Sequence, residues 1–188
     1  MAETDELSIA SKLCLACGLC CDGTVFGFAL IEESEVEDTA AIGLQTFRTT
    51  NDEPAFRLGC HYLDGTACTR YQSWRPSVCG DYYCQVQKRV RKHELAEEKA
   101  FSMIARARQM TDEIKALLPP GVPISQARRL FKDLAAKQPD LAPDEATFLV
   151  KMFVLERFLD SEFRGAKRAH LRGAEQRQAS QHGAASQS

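Results

Sequence analysis

The stretch CLACGLCC, residues 14–21, places four thiols within eight residues and decides how the first half of the chain can fold. Four more cysteines follow, separated by seven, ten and four residues, and none occurs after Cys84. Irregular spacing of this kind is expected when loops between short strands bring side chains together. The eight candidate ligands are Cys14, Cys17, Cys20, Cys21, Cys60, Cys68, Cys79 and Cys84.

The chain has 188 residues, a net charge of −2 and 44% hydrophobic residues. It is long enough to bury an apolar core without covalent cross-links. Its near-neutral charge gives no electrostatic case for binding nucleic acid. The first residues lack the apolar segment of a secretory signal, and the longest apolar stretch, residues 148–155, is far shorter than the ~20 residues that cross a bilayer. We therefore expect a cytoplasmic protein with neither a nucleic-acid nor a membrane partner.

Clustered thiols in a reducing compartment more often form a metal or redox site than a disulfide scaffold. One tetrahedral Zn²⁺ or one iron–sulfur cluster takes four thiolates, so eight thiols are enough for two such centres. The start resembles the C-x2-C-x2-C of ferredoxins, but the C-x3-C-P that follows there is absent. The second half lacks the C-x2-C pair of zinc knuckles. The expected cofactor is zinc or an iron–sulfur cluster.

The adjacent pair Cys20 and Cys21 raises the question of how many centres there are. If residues 14–21 were helical, Cys21 would share a face with the first two thiols and Cys20 would point away. Two adjacent thiols cannot easily reach the same atom. The pair therefore indicates either two centres, or one ligand and one spare thiol, unless Gly18 forces a loop and removes the helical geometry.

The chain is predicted to be α+β, with a small, loop-rich cysteine module of short strands followed by a three-helix region. Runs at 24–31, 44–50 and 55–60 have β-prone patterns, and a short helix ends at Gly43. Residues 85–118 read as one amphipathic helix, Ser125 as the N-cap of a second at 126–138, and about 144–165 as a third. The third helix is apolar on more than one face, so it is either a core helix or half of a partner interface.

Four segments follow from these patterns. We expect a flexible N-terminus at 1–12, a cysteine-cluster metal-binding domain at 13–90 and a helical region packing on it at 91–165. Residues 166–188 are polar and mildly basic, with few large apolar side chains, and are predicted to be a disordered tail.

The cysteine region resembles the YkgJ-type cysteine cluster (CxxCxxCC) family, described as a zinc- or iron-chelating domain. CLACGLCC fits its start, LIEESEVEDTAAIGL its middle, and Cys60 with Leu63 the next element. The family ending matches with one extra residue before the Arg-Pro pair, while Gly80 and Tyr83 replace the usual Arg and Pro. The matching residues are Cys68, Tyr71, Arg75, Pro76, Cys79 and Cys84.

The resemblance covers about residues 10–90 and implies a metal-binding protein. A similar cysteine domain occurs in flagellin lysine N-methylase, which implies an alternative: an iron–sulfur-dependent enzyme of redox or methyl-transfer chemistry. A metal carrier that hands its ion on is a third reading. No catalytic residue is indicated, and the expected partners are a metal ion and a protein that docks on the C-terminal helices.

Several neighbours have two readings each. Arg75 either donates to metal-bound sulfur or fixes a turn, and Tyr71 is read as a packing residue. His61 is a weak candidate ligand, because successive side chains on a strand diverge. The basic run at 88–93 either offsets the charge of metal-bound thiolates or forms ion pairs with the acidic residues that follow it.

Overall fold

The computed structural model describes residues 7–137 and 141–165, and the α+β class is confirmed. The tail predicted to be disordered, residues 166–188, and the first six residues of the predicted flexible segment lie outside this part of the chain.

Helix α1, Ile9–Cys17, begins inside the segment predicted to be flexible, so residues 9–12 are helical. The side chain of Ser8 accepts from the N–H of Ser11 and caps the first turn, a local signal that the sequence prediction did not use. Gly18 ends the helix in the left-handed conformation, φ +68°, and its N–H donates to the carbonyl of Cys14.

A three-stranded antiparallel sheet follows, in the order β1-β3-β2. Its strands are β1, Phe28–Leu30, β2, Thr46–Arg48, and β3, Pro54–Arg57, each close to one of the predicted β-prone runs. A 3₁₀ turn at Glu33–Glu35 and helix α2, Val36–Ala41, connect β1 to β2. This short helix ends just before Gly43, as its sequence indicated.

A second, two-stranded sheet lies between the last four cysteines. Strands β4, Leu63–Asp64, and β5, Ala67–Cys68, pair Leu63 with Cys68. A one-turn helix α3, Val78–Asp81, follows them. Residues 58–84 contain little other regular structure, so turns and side-chain contacts set the positions of their cysteines.

The helix predicted over 85–118 is two helices, α4, Gln85–Arg91, and α5, Glu97–Lys115. The interruption is a helix end built by His93 at φ +57°. The N–H of Glu94 donates to the carbonyl of Arg89, and that of His93 donates to Val90. This pair of bonds ends a helix and usually forms around a glycine, whereas the residue here is His93.

Two further helices complete the predicted three-helix region. Helix α6 spans Ala127–Ala135 after a 3₁₀ turn at Ile124–Gln126, so its N-cap is Gln126 and the prediction of Ser125 was wrong by one residue. The 3₁₀ turn takes the place of the first helical turn and moves the cap along. Helix α7 spans Pro143–Leu159 and continues as a π-helical segment, Asp160–Arg164.

One apolar core cluster joins the two halves of the molecule. Leu13 of α1 and Phe26 belong to the same cluster as Ile104 of α5 and Leu155 of α7. Helix α7 is thus a core helix on one side, while Val150, Phe153 and Val154 remain exposed on the other. Among the described residues, no helix combines the length and the apolarity that crossing a membrane requires.

Candidate metal centre

All eight cysteines line a single cavity of about 90 Å³. They come from α1, from the turn after it, from the loop before β4, from β5, from α3 and from the residue just before α4. The first and last of them are 70 residues apart in sequence. Tertiary folding therefore brings both groups of the sequence analysis to one place.

The first group is divided by the end of α1. Cys14 and Cys17 lie one turn apart on the helix, but Gly18 stops the helix before Cys20 and Cys21. The helical-face geometry considered for residues 14–21 therefore does not apply to the adjacent pair. A Cβ at Gly18 would lie 3.0 Å from the carbonyl oxygen of Thr66, so glycine also lets this turn approach the β4–β5 hairpin.

Backbone contacts bring the second group against the first. The N–H of Cys60 donates to the carbonyl of Cys21 at 2.7 Å, which places the two residues side by side. The close approach of Gly18 to Thr66 brings the hairpin that ends at Cys68 to the same corner. These contacts set where the cysteine backbones lie before any ion is considered.

Cys79 and Cys84 are placed by side chains. Arg75 stacks its guanidinium 4.4 Å from the Tyr71 ring centre and donates to the carbonyl of Cys79 at 2.9 Å. Gln87 accepts from the N–H of Cys84 at 2.9 Å and donates to the carbonyl of Ala10 at 2.8 Å. Gln87 thereby ties the last cysteine to helix α1.

The eight cysteines are free, so no disulfide forms among them. Cys14 is the one exposed cysteine, and the other seven are partly buried. A neutral, partly buried thiol set at one cavity differs from the disulfide scaffold that the sequence analysis considered as the alternative.

Desolvation raises the pKa of most of these thiols, including Cys84 to about 11 and Cys79 to about 12. It also raises the pKa of Cys17, Cys20 and Cys21. Burial disfavours a thiolate without a compensating positive charge. At neutral pH these five side chains are therefore protonated, and a bound metal ion would have to displace their protons.

The eight thiols differ in which of their neighbours, when ionised, would raise their pKa. After desolvation, the pKa of Cys20 is raised by Cys17, Cys84, Cys14 and Cys21, in that order. After desolvation, the pKa of Cys21 is raised by Cys14, Cys79, Cys60 and Cys68. Cys17 and Cys84 lie with Cys20 in one neighbourhood, and Cys60, Cys68 and Cys79 lie with Cys21 in the other. The adjacent pair is split between them, and Cys14 acts on both.

Two cations offset part of the charge that ionised thiols would carry. Desolvation is the main effect on Cys79 and Cys84, but Arg75 lowers the pKa of the first and Lys88 that of the second. Elsewhere in the basic run, Arg89 pairs with Glu162 at 2.8 Å and Arg91 stacks on Tyr83. Lys88 thus fits the first reading of the basic run, whereas the ion pair of Arg89 is with Glu162 and not with the acidic residues that follow the run. Arg75 fixes its turn and lines the cavity.

The side chains as placed do not form a finished ligand shell. Within residues 7–137 and 141–165, no group of three or more His, Cys, Asp or Glu side chains is arranged to hold a metal ion. His61 is not among the residues that line the cavity, and its ring contacts Tyr62 at 4.1 Å between centres. The donor set suits a thiophilic metal, because eight thiols surround one space, but binding requires the thiols to rotate toward a common point.

Sequence reasoning missed the polar residues that hold the cysteine segments in place. Gln87 is buried inside a helix that looks amphipathic and basic, and Arg108 of α5 donates to the carbonyl of Cys17 at 3.2 Å. Their partners are backbone atoms 77 and 91 residues away, so no local pattern could have indicated them.

Comparison of the chain with protein-family models, curated proteins and solved structures finds no match in any of the three.

Proposed function

We propose that the protein is a cytoplasmic metal-binding protein whose eight cysteines chelate zinc or an iron–sulfur cluster. The observation that carries the proposal is that all eight thiols, which are spread over a 71-residue stretch, line one cavity. The resemblance of residues 10–90 to the YkgJ-type cysteine cluster family stays a prediction, since no family model matches the chain. A core requires no such collection of thiols, whereas a thiophilic metal does.

The burial of the thiols supports a bound metal ion, because buried thiolates need a positive charge beside them. Their raised pKa values mean that several neighbouring thiolates would be unstable in this cavity without a bound cation. Zn²⁺ or iron would replace the lost protons and compensate the negative charge, with Arg75 and Lys88 offsetting part of the remainder. The metal would also cross-link a segment that contains short strands and many turns.

The division of the thiols favours two centres over one centre with spare ligands. The first set contains Cys17, Cys20 and Cys84, and the second contains Cys21, Cys60, Cys68 and Cys79. Cys14 acts on both sets, and we assign it to the first so that each has four thiols, the number that one zinc ion or one cluster takes. Assigning Cys20 and Cys21 to different centres also removes the difficulty of aiming two adjacent thiols at one atom.

The test is metal analysis of protein purified without oxygen, together with three variants: Cys20→Ser, Cys21→Ser and the double variant. We expect wild type to hold about two centres, each single variant about one, and the double variant none. Iron with inorganic sulfide and visible absorbance would identify clusters, and zinc in a colourless protein would identify zinc. Ser73→Ala, at an exposed position outside the cysteine set, is the matched control.

Two outcomes separate the parts of the proposal. A wild-type protein that binds neither zinc nor iron contradicts the metal-binding function. A double variant that keeps as much metal as either single variant shows that Cys20 and Cys21 serve the same centre, and then the two-set assignment is wrong although metal binding stands.

A metal carrier is the second candidate, and the exposure of Cys14 favours it. An exposed thiol at the edge of a buried set is where an acceptor's ligand could first reach the metal. In that case the metal is cargo, and zinc leaves to a weak chelator without unfolding of the protein. A structural centre would release its metal only when residues 13–84 unfold, which proteolysis during chelation would detect.

A further inference from the structure

The turn that carries the adjacent cysteines, residues 18–25, is here named the doublet turn. Part of its backbone is satisfied within it: the N–H of Asp22 donates to the carbonyl of Gly18 at 3.0 Å, and that of Val25 donates to the carbonyl of Leu19 at 2.8 Å. The carbonyls of Gly23, Thr24 and Val25 at its end also need donors, because buried backbone groups are almost always paired.

Two arginines of the helical half supply those donors. Arg128 of α6 donates to the carbonyls of Gly23 at 3.0 Å, Val25 at 3.2 Å and Thr24. Arg164, at the end of the π-helical segment, donates through Nε to the carbonyl of Val25 at 2.7 Å. Three consecutive carbonyls are therefore held by two guanidinium groups from more than 100 residues away.

The guanidinium groups are themselves held in place. The side chain of Arg164 is 4% exposed and pairs with Glu156 and Asp160, each at 2.8 Å. Arg128 pairs with the same Glu156 at 3.0 Å. Two positive and two negative charges balance, and a buried, multiply bonded arginine has little freedom to move. These ion pairs thus hold both guanidinium groups in fixed positions beside the turn.

The doublet turn also packs closely against the helical half at Gly23 and Asp22. Gly23 has φ +87°, and a Cβ there would lie 2.7 Å from the Cβ of Ser125, just before α6. Lys115 of α5 pairs with Asp22 at 3.6 Å. The turn therefore meets α5, the start of α6 and the π-helical segment, and its position depends on the helical half.

We propose that Arg128 and Arg164 are positioning residues that lock the doublet turn and so set the directions of the Cys20 and Cys21 side chains. The metal-related part of this inference rests on the proposed function, whereas the positioning of the two thiols does not. Helix docking and the geometry of the centre are then coupled, since both depend on the same hydrogen bonds.

The experiment compares Arg128→Gln and Arg164→Gln with the control Arg129→Gln, whose side chain is 86% exposed on the same helix. In reduced, metal-free protein, alkylation by iodoacetamide is followed at each cysteine by peptide mass spectrometry, at a temperature where each variant is folded. We expect alkylation of Cys20 and Cys21 to rise severalfold in the first two variants, with Cys79, which Arg75 holds through its carbonyl, unchanged. In zinc-loaded protein, zinc release to a chelator becomes about tenfold faster.

An equal rise at all eight cysteines would mean general destabilisation and would overturn the positioning role. Unchanged alkylation of Cys20 and Cys21 in Arg128→Gln would overturn it as well. If Arg164→Gln fails to fold, the more exposed Arg128 decides the outcome. A wild-type protein that binds no zinc contradicts the proposed function, and the alkylation pattern still decides whether the arginines position the thiols.

Discussion

The cysteine half and the helical half of this molecule share one apolar core but differ in how much regular structure surrounds it. Residues 13–84 form strands of two to four residues, with cysteines, turns and single hydrogen bonds between them. Residues 97–164 form helices of up to 19 residues that pack through apolar side chains. Both halves contribute packing energy, since Phe26 and Phe56 of the cysteine half are as buried as Leu155 and Phe163 of the helical half. The short elements of the cysteine half leave more of its order to side-chain contacts and to whatever its thiols bind.

The largest expected effect is loss of metal from the cysteine half. We expect Cys17→Ser to lose the centre that contains Cys17 and to open residues 13–84 to protease, while far-ultraviolet circular dichroism retains the signal of α5–α7. Binding of a structural metal contributes on the order of 10–16 kcal/mol, so an incomplete ligand set is a severe defect. Metal analysis and limited proteolysis measure both effects. Wild-type metal content together with a wild-type digestion pattern would remove Cys17 from the ligand set.

A core substitution in the helical half is expected to have the opposite pattern. Leu155→Ala empties space at a side chain that is 1% exposed and should lower the free energy of unfolding by about 2–5 kcal/mol. Metal content below the melting temperature should stay at the wild-type level. Urea denaturation measures the loss, and Val150→Ala on the exposed side of α7, 64% exposed, should change it by less than about 0.5 kcal/mol. Metal loss in folded Leu155→Ala would show that the halves are not separable in this way.

A smaller effect is expected where the halves meet at Gln87. Gln87→Leu leaves the N–H of Cys84 and the carbonyl of Ala10 without their partner, at a cost of about 1–3 kcal/mol for an unsatisfied buried group. Since the side chain joins α1 to the last cysteine, both the stability to urea and the retention of metal should decrease. Gln109→Leu, at an exposed position of α5, is the control. A decrease in only one of the two measurements would place Gln87 in one half alone.

Local patterns predicted the elements better than their ends. The β-prone runs contain or border β1, β2 and β3, and the apolar stripe after Cys84 does form helices. The break at His93 was not predictable, because a non-glycine residue takes a conformation that usually marks glycine. The N-cap of α6 is Gln126 and not Ser125, because a 3₁₀ turn precedes the helix. A protein partner for the C-terminal helices stays a prediction, with Val150, Phe153 and Val154 as the exposed apolar residues to examine first.

The amino-acid sequence by itself determined the candidate ligands, eight thiols before residue 85. It indicated β1 to β3, α2 and the helices after Cys84, but not α1, α3 or the β4–β5 hairpin. Only the tertiary structure decided which thiols are neighbours and why Cys20 and Cys21 face different companions. That arrangement depends on hydrogen bonds between distant residues. Examples are the bond from the N–H of Cys60 to the carbonyl of Cys21 and the bond from Arg164 to the carbonyl of Val25. Spacing along the chain cannot encode such contacts, because they join residues that only the folded structure brings together.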